Sequence, residues 1–241
     1  MEIALAHRAE STFAVRESVA VRFGEKRLEP VILSNYSIAD LDIPYNPNRS
    51  GRNLMFMAGN MQSFHGVSEC IEAVSRAKEH YPDVSLTLVG NVREDLDGYI
   101  NESDHNGFIT STGFLPYREM YEKLNEGVAG LLVFQPTYHN ISIGLPNKLF
   151  DYMLLGLPVI ASDLPEIRNV VNRADCGILI DPTSVDDIAD AISYLFEHPE
   201  DARRMGANGR KAVLERYNWS AMEADFLQAY RHLDGAHAKP T

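Results

Sequence analysis

From residue 54 onward, short apolar runs alternate with stretches whose apolar residues recur at helical spacing. We interpret six runs as strands: LMFMAG (54–59), VSLTLVG (84–90), GFITSTG (107–113), GVAGLLVF (127–134), LPVIAS (157–162) and CGILI (176–180). Helices are predicted over 69–80, and within PYREMYEKLN (116–125) from the apolar stripe Tyr117, Met120, Tyr121 and Leu124. Strands that alternate with helices predict an α/β fold with a doubly wound parallel sheet, whose ligands bind at the carboxyl ends of the strands.

Helical patterns dominate the chain from residue 184 to its end. SVDDIADAISYLFEHPED (184–201) predicts one helix, with Ser184 as N-cap and Asp187 three residues later as a variant of the capping box. A last helix is predicted from Trp219 to Leu233, with Met222 and Phe226 on its apolar stripe, and the tail 234–241 is expected to fray.

The first 53 residues follow a different pattern. STFAV (11–15) and PVILS (30–34) resemble strands on either side of a short helix, and residues 35–53 carry Pro, Asn and Ser without periodicity. We therefore expect residues 1–34 to form a separate piece, 35–53 a linker, 54–218 the main domain, and 219–241 a final helix and tail. Thirty-four residues are too few for an independent core.

Composition narrows the class of protein. The chain has 241 residues, 45% of them hydrophobic, and a formal net charge of −12, so its overall charge does not favour nucleic acid or an anionic membrane. Cys70 and Cys176 lack C-x-x-C spacing, which argues against a disulfide framework or a zinc site. No secretory leader pattern and no long apolar span is evident. We expect a cytoplasmic protein.

The turn after the first strand of the main domain is GNMQSFHG (59–66). It does not match the G-x-G-x-x-G pattern of dinucleotide-binding enzymes, and the chain has no G-K-[ST] for a P-loop. A dehydrogenase or a P-loop enzyme is therefore not expected, and His65 alone in this turn indicates no particular chemistry.

The most informative stretch is IGLPNKLFDYMLLGLPVIASDLPEI (143–167). Pro146 in a first turn and Gly156 just past the end predict a short helix over 147–155. Its amino end predicts an anion site, and Asp151 lies on the same helix face as Asn147, so it can face the same ligand. The groups that would hold the anion are the amides of Gly144, Leu145 and Asn147 and the side chain of Lys148. A buried helix whose lysine extends to water explains the residues equally well.

Three stretches, in order and at family spacing, resemble one known family. They are GFLPYREMYEKLNEGVAGLLVF (113–134), GLPNKLFDYMLLGLPVIASDLPEI (144–167) and GILIDPTSVDDIADAISYLFEHPEDARRMGANGRKAVLERYNW (177–219). From Glu2 to Leu233 the chain is similar to the retaining nucleotide-sugar glycosyltransferases of the GT-B fold (glycosyl transferases group 1, family 4-like). The similarity covers the end of their N-terminal acceptor domain and their complete C-terminal, donor-binding domain, so residues 1–34 resemble a remnant of the acceptor lobe.

The resemblance implies roles for particular residues. Gly144, Leu145, Asn147 and Lys148 would bind the donor phosphates, Asp151 the ribose hydroxyls in place of the family's Glu, and the loop Gly113, Phe114, Leu115 and Pro116 the base. Asn60 and His65 occupy the positions of an Arg and a Lys that lie over the pyrophosphate in the family. Ile143 replaces a further Glu, as in a subset of the family. The sequence assigns no catalytic side chain.

The implied reaction is transfer of a sugar from a nucleoside-diphosphate sugar to a glycan or lipid-linked acceptor. It would proceed with retention, without a metal or cofactor, in the synthesis of cell-surface polysaccharide or glycans. The family resemblance mildly favours uridine as the nucleoside. The chain would be cytoplasmic or peripheral at the inner membrane face. Three alternatives stay open: a nucleotide-sugar epimerase, a non-enzymatic nucleotide-sugar-binding subunit, and an inactive truncated product.

Residues 1–34 and the final helix each carry apolar residues that must be buried against another part of the protein. We expect the two segments to pack together and to leave an apolar patch beside them. That patch predicts self-association or a separate acceptor-lobe chain as partner, with low transferase activity of the isolated chain.

Overall fold

The structure is a computed structural model that describes residues 12–15, 20, 30–34, 36, 43, 45–105, 107–137 and 144–237. The chain divides into two compact units. The larger unit covers residues 41–214, and the smaller one combines residues 1–40 with 215–241. The four segment limits inferred from the sequence stay predictions. The short helix expected between residues 16 and 29 lies outside the described residues, apart from Ala20.

In the larger unit, strands and helices alternate as far as Glu197, where one helix directly follows another. The strands are β1 (Phe13–Ala14), β2 (Val31–Ile32), β3 (Asn53–Asn60), β4 (Ser85–Asn91), β5 (Ile109–Ser111), β6 (Ala129–Leu132), β7 (Val159–Ser162) and β8 (Gly177–Ile180). The helices are α1 (Val67–Ala77), α2 (Glu94–Ser103), α3 (Tyr117–Leu124), α4 (Asn147–Leu154), α5 (Pro165–Ala174), α6 (Val185–Glu197), α7 (Pro199–Glu215) and α8 (Trp219–His237). A 3-10 turn, Ser63–His65, precedes α1.

A six-stranded parallel sheet forms the centre of the larger unit, in the order β5-β4-β3-β6-β7-β8. The order reverses at β3, so β4 and β6 both flank the first strand of the unit. Alternate residues of β3 face opposite sides: Leu54 and Phe56 join α1 and α6 in one core, while Met55 lies on the other side of the pleat. The predicted doubly wound α/β fold is confirmed.

Four helical segments differ from the sequence-based expectation. The helix expected over 184–201 is two helices, because Pro199 lacks the N–H that would continue α6 and instead begins α7. Ser184 is the N-cap as predicted, and its Oγ accepts a hydrogen bond of 3.1 Å from the Asp187 amide. The sequence analysis did not predict α2 or α5, and α8 extends to His237 rather than ending at Leu233.

Helix α4 packs closely on the sheet through one aromatic ring. Tyr152 is fully buried, and its ring occupies the space beside Gly130 of β6, where an added Cβ would lie 2.5 Å from the ring. The Tyr152 hydroxyl accepts a hydrogen bond of 2.8 Å from the Met57 amide. This contact fixes the position of α4 against the ends of β3 and β6.

Arg49 joins the carboxyl ends of α3 and α4. Its guanidinium donates to the carbonyl oxygens of Asn125 and Gly127, both at 2.7 Å, and to that of Leu155 at 2.5 Å. It also donates to Asn125 Oδ1 at 2.8 Å. Burial lowers the pKa of Arg49 to about 10, so it remains charged at neutral pH and satisfies carbonyls at two helix ends.

In the smaller unit, β1 and β2 pair in parallel, in agreement with the two strands expected there. The Ser34 amide donates to Met222 Sδ of α8 at 3.2 Å. An aromatic cluster forms beside this contact, with the Phe13 ring centroid 6.2 Å from that of Phe226 and 6.1 Å from that of Tyr230. The described residues of the N-terminal segment thus pack on the last helix.

Candidate functional site

A cavity of about 330 Å³ opens at the carboxyl ends of β3 and β4, beside the first turns of α4. This is the edge at which the strand order reverses, where ligands of doubly wound sheets bind. The residues that line it come from two strands, the loop before α3, α3 itself and α4: Met57, Ala58, Gly59, Val89, Gly90, Phe114, Leu115, Met120, Asn147, Lys148 and Asp151.

Gly90 brings the loop before α3 to this cavity. Its φ is +122°, and an added Cβ would lie 1.8 Å from the Ala58 carbonyl oxygen, so only glycine fits. The Gly90 amide donates to the Gly113 carbonyl at 3.1 Å. This hydrogen bond holds the loop before α3, which is the predicted base-binding loop, against the end of β4.

Lys148 lies in the first turn of α4, which begins at Asn147 with Pro146 as its N-cap. The sequence analysis placed Pro146 inside the first turn. Its extended ψ of 137° puts it just before the helix instead. The Lys148 ammonium lies 4.6 Å from the Phe134 ring centroid and 5.9 Å from that of Phe56. Burial lowers its pKa to about 7, which the nearby Asp151 opposes.

His65 ends the 3-10 turn and contacts the same Phe134, with ring centroids 5.2 Å apart. Its Nδ1 accepts a hydrogen bond of 3.0 Å from the Gln62 amide, which leaves the ring proton on Nε2. Burial, followed by the positive charge of Lys148, lowers the pKa of His65 to about 4. His65 is therefore a neutral hydrogen-bond donor at physiological pH.

Asp151 lies one turn after Lys148, buried at the cavity wall with 7% of its surface exposed. Tyr121 of α3 donates its hydroxyl proton to Asp151 Oδ1 at 2.5 Å. The hydroxyl oxygens of Tyr117 and Tyr121 are 2.8 Å apart. Burial, together with the Asp151 charge, raises the pKa of Tyr121 far above its ordinary value, so this hydroxyl keeps its proton.

The structure brings part of the predicted site together. Asn147, Lys148, Asp151, Phe114 and Leu115 line one cavity. Gly113 and Pro116 are the first and last residues of the predicted base loop, and Gly144 and Leu145 precede α4. His65 contacts Phe134, and Asn60 Oδ1 accepts a hydrogen bond of 3.4 Å from Asn91. Ile143 lies outside the described residues. The binding roles of all these residues stay predictions.

Sequence reasoning missed Tyr121 and Phe134 as parts of the site. It placed Tyr121 on the apolar stripe of α3, where the ring indeed packs, and overlooked its hydroxyl. A general rule could have pointed to Tyr121, because a buried tyrosine hydroxyl usually has a hydrogen-bond partner. Phe134 ends an apolar run, and nothing local in the sequence places it against Lys148.

Two searches of the described residues bear on function. Among them, no three His, Cys, Asp or Glu side chains lie close enough together to hold a metal ion. No helix within the described ranges combines the length and apolar character needed to cross a membrane.

Comparison with known sequences gives a consistent set of relatives. The model of the family described as "Glycosyl transferases group 1" matches residues 40–212. The chain is 23% identical over 184 residues to alpha-D-kanosaminyltransferase of Streptomyces kanamyceticus, covering 76% of this chain and 46% of the relative. It is 26% identical over 204 residues to phosphatidyl-myo-inositol mannosyltransferase of Mycolicibacterium smegmatis, covering 84% and 51%. The chain thus spans about half the length of these curated relatives.

Solved structures of similar fold include sucrose-phosphate synthase from Thermosynechococcus elongatus, with a TM-score of 0.75, 20% identity, and coverage of 98% of this chain and 61% of the neighbour. Another is Anabaena HepE in complex with UDP, with a TM-score of 0.76, 13% identity, and coverage of 95% and 66%. These neighbours are GT-B glycosyltransferases, so the fold class that the sequence resemblance implied is confirmed.

Proposed function

Because the chain belongs to the glycosyl transferases of group 1, we propose that its larger unit binds a nucleoside-diphosphate sugar as donor in the cavity beside α4. One observation carries this proposal. A lysine at the first turn of α4 and a carboxylate one turn later line the same cavity as two residues of the predicted base loop. That arrangement supplies a positive group for phosphate, an acceptor for hydroxyls and an apolar surface for a base.

The phosphates lie at the amino end of α4, where unpaired amides and Lys148 stabilise negative charge. His65 adds a neutral Nε2–H donor, and Asn60 an amide. Asp151 accepts hydrogen bonds from the ribose hydroxyls, while Phe114 and Leu115 cover the base. A uridine base is favoured by the structural neighbour that carries UDP.

The reaction is transfer of the sugar to a hydroxyl of a glycan or lipid-linked acceptor with retention. The bond from the anomeric carbon to the diphosphate oxygen breaks, and its electron pair leaves with the diphosphate. The acceptor oxygen bonds to the same face of that carbon, and its proton passes to the departing diphosphate. Lys148 and the α4 amides lower the barrier by stabilising the charge that develops on the leaving group.

Titration calorimetry with UDP tests the donor site directly, and Gly59→Val is the informative variant. An added Cβ at Gly59 meets nothing within 4 Å, and Gly59 borders the cavity, so the side chain of a valine begins in open space beside the proposed ligand. We expect wild type to bind UDP and Gly59→Val to lose at least about tenfold in affinity while its melting temperature is unchanged, because excluding a ligand group costs more than one contact.

Gly98→Ala is the matched control, because Gly98 lies exposed on α2, with nothing within 4 Å of an added Cβ, and does not line the cavity. It should bind UDP as wild type does. A folded wild-type protein that binds none of the common nucleoside diphosphates would refute the proposal. Release of free sugar from a panel of nucleotide sugars would distinguish an enzyme from a binding subunit.

A further inference from the structure

Two tyrosines of α3 and one carboxylate of α4 form a chain of hydrogen bonds with a fixed direction. An ionised carboxylate only accepts, so the short bond between Tyr121 and Asp151 uses the single Tyr121 hydroxyl proton. The bond between the two hydroxyls must then be donated by Tyr117. Both donors are therefore oriented toward Asp151.

This series of hydrogen bonds runs from the surface to the cavity wall. Tyr117 is 52% exposed, whereas Tyr121 is 1% exposed and Asp151 is 7% exposed. The two tyrosine rings pack edge to face, with centroids 4.7 Å apart and an interplanar angle of 85°. Tyr121 is thus held by its ring, and its hydroxyl has little freedom to leave the carboxylate.

The place of Asp151 at the cavity wall shows what the hydrogen bond from Tyr121 does. A carboxylate has two rotatable bonds, and one at the wall of an open cavity gains entropy by rotating among several orientations. A charge-assisted hydrogen bond from a rigid buried donor removes that freedom before a ligand arrives. Because burial also keeps the Tyr121 pKa high, this donor is present at every physiological pH.

We infer that Tyr121 is a positioning residue that orients the Asp151 carboxylate toward the ribose hydroxyls of the bound nucleotide. The inference rests on the proposed donor site, and it adds that recognition of a ribonucleotide depends on a side chain of α3 that does not line the cavity. Tyr117 supports Tyr121 from the surface side of the same chain.

The test compares UDP with 2′-deoxy-UDP in wild type and in Tyr121→Phe, by calorimetry. The substitution keeps the buried ring and removes the proton that holds Asp151. We expect UDP affinity to fall about tenfold, as for loss of a hydrogen bond to a charged group, and the affinity for 2′-deoxy-UDP, which keeps only the 3′ hydroxyl, to fall less. The preference for ribose therefore shrinks, which a general loss of stability would not produce.

Tyr152→Phe is the control for loss of a buried tyrosine hydroxyl. Tyr152 follows Asp151 on α4, but its hydroxyl bonds to the backbone of β3 and β6 rather than to the carboxylate. This variant should melt at a lower temperature and keep the wild-type ratio of the two affinities. An equal change of that ratio in Tyr121→Phe and Tyr152→Phe would overturn the inference.

A double-mutant cycle with Asp151→Ala covers the case in which Tyr121→Phe alone folds poorly. Removing both groups leaves neither the Tyr121 hydroxyl nor the Asp151 carboxylate buried without the other, so the double variant is expected to fold. If Tyr121 acts through Asp151, adding Tyr121→Phe to Asp151→Ala leaves UDP affinity unchanged. Further loss in the double variant, or equal loss of both nucleotides in Tyr121→Phe, overturns the inference. Failure of wild type to bind UDP would instead refute the donor site itself.

Discussion

Lys148 illustrates, at the scale of one residue, how burial changes the charge of a basic group. Two aromatic rings lie beside its ammonium, and burial lowers its pKa to about 7. At neutral pH the free protein therefore contains Lys148 partly without its proton. A diphosphate beside it favours the charged form and raises that pKa again.

We predict that UDP binding takes up a proton and weakens as the pH rises. Between about pH 7.5 and 9 the free lysine is largely neutral, whereas the bound one is charged. The affinity should then fall by up to about tenfold per pH unit, because one proton is linked to binding. The diphosphate of the ligand no longer titrates in this range, since the second pKa of a phosphate is about 6.

Calorimetry at pH 8 in two buffers of different ionisation enthalpy measures the proton directly. In Lys148→Met, which keeps the length of the side chain without its charge, the proton uptake and the pH dependence should both disappear. Binding with no proton uptake in wild type would show that Lys148 does not contact the phosphates.

Residue patterns located one half of the site and not the other. The amino end of α4 follows from Pro146, Lys148 and Asp151 within six residues, because helix geometry relates such near neighbours. The bond between Tyr121 and Asp151 joins residues 30 positions apart on two helices. No local rule relates them, so only the packing of α3 beside α4 shows the contact.

Among the elements, α4 carries the site, and its place depends on the contact between Tyr152 and Gly130. An alanine at 130 would put a methyl group 2.5 Å from the ring, so α4 must move away from β6. We predict that Gly130→Ala lowers the free energy of unfolding by about 1–3 kcal/mol, the usual cost of overpacking. It should also weaken UDP binding, because Lys148 and Asp151 move with the helix.

Urea unfolding and calorimetry of Gly130→Ala check both parts of this prediction. Gly98→Ala again serves as control, since it adds the same methyl group on an exposed helix face. Wild-type stability in Gly130→Ala would mean that the sheet accommodates the methyl group and that Tyr152 does not fix α4.

The elements that the sequence revealed are those with strong apolar patterns. β3, β4, β6 and β7 are nearly continuous apolar runs, as central parallel strands require. Helix α2 buries only Leu96 and Ile100 and contains Gly98 and Asn101, so neither its pattern nor its propensity is strong. Tertiary packing therefore decides this helix, and a propensity argument could not find it.

At the scale of the whole molecule, the aromatic cluster of the smaller unit is an exposed apolar feature among the described residues. Phe13, Trp219 and Tyr230 are each between 39% and 48% exposed, and Leu227 adds 42% on the same helix. A contiguous patch of this kind is typical of an interaction surface. The sequence analysis expects an apolar patch beside the last helix, and these exposed residues lie on that helix or in contact with it.

We predict that the isolated chain self-associates through this cluster. Light scattering after size exclusion should give a mass above the 27.0 kDa of one chain, increasing with protein concentration. Tyr230→Lys places a charge in the middle of the patch and should shift the protein toward the monomer without lowering its melting temperature by more than a few degrees. A wild-type protein that stays monomeric at high concentration would contradict the prediction.

The contacts of Arg49 determine where a fragment of the larger unit can begin. The regular sheet begins at Asn53, and a fragment designed from strand positions would start there. Such a fragment would lose a guanidinium that serves four acceptors at the ends of α3 and α4. Residues 45–52 look like dispensable linker in the sequence, yet any minimal fragment of the larger unit must include them.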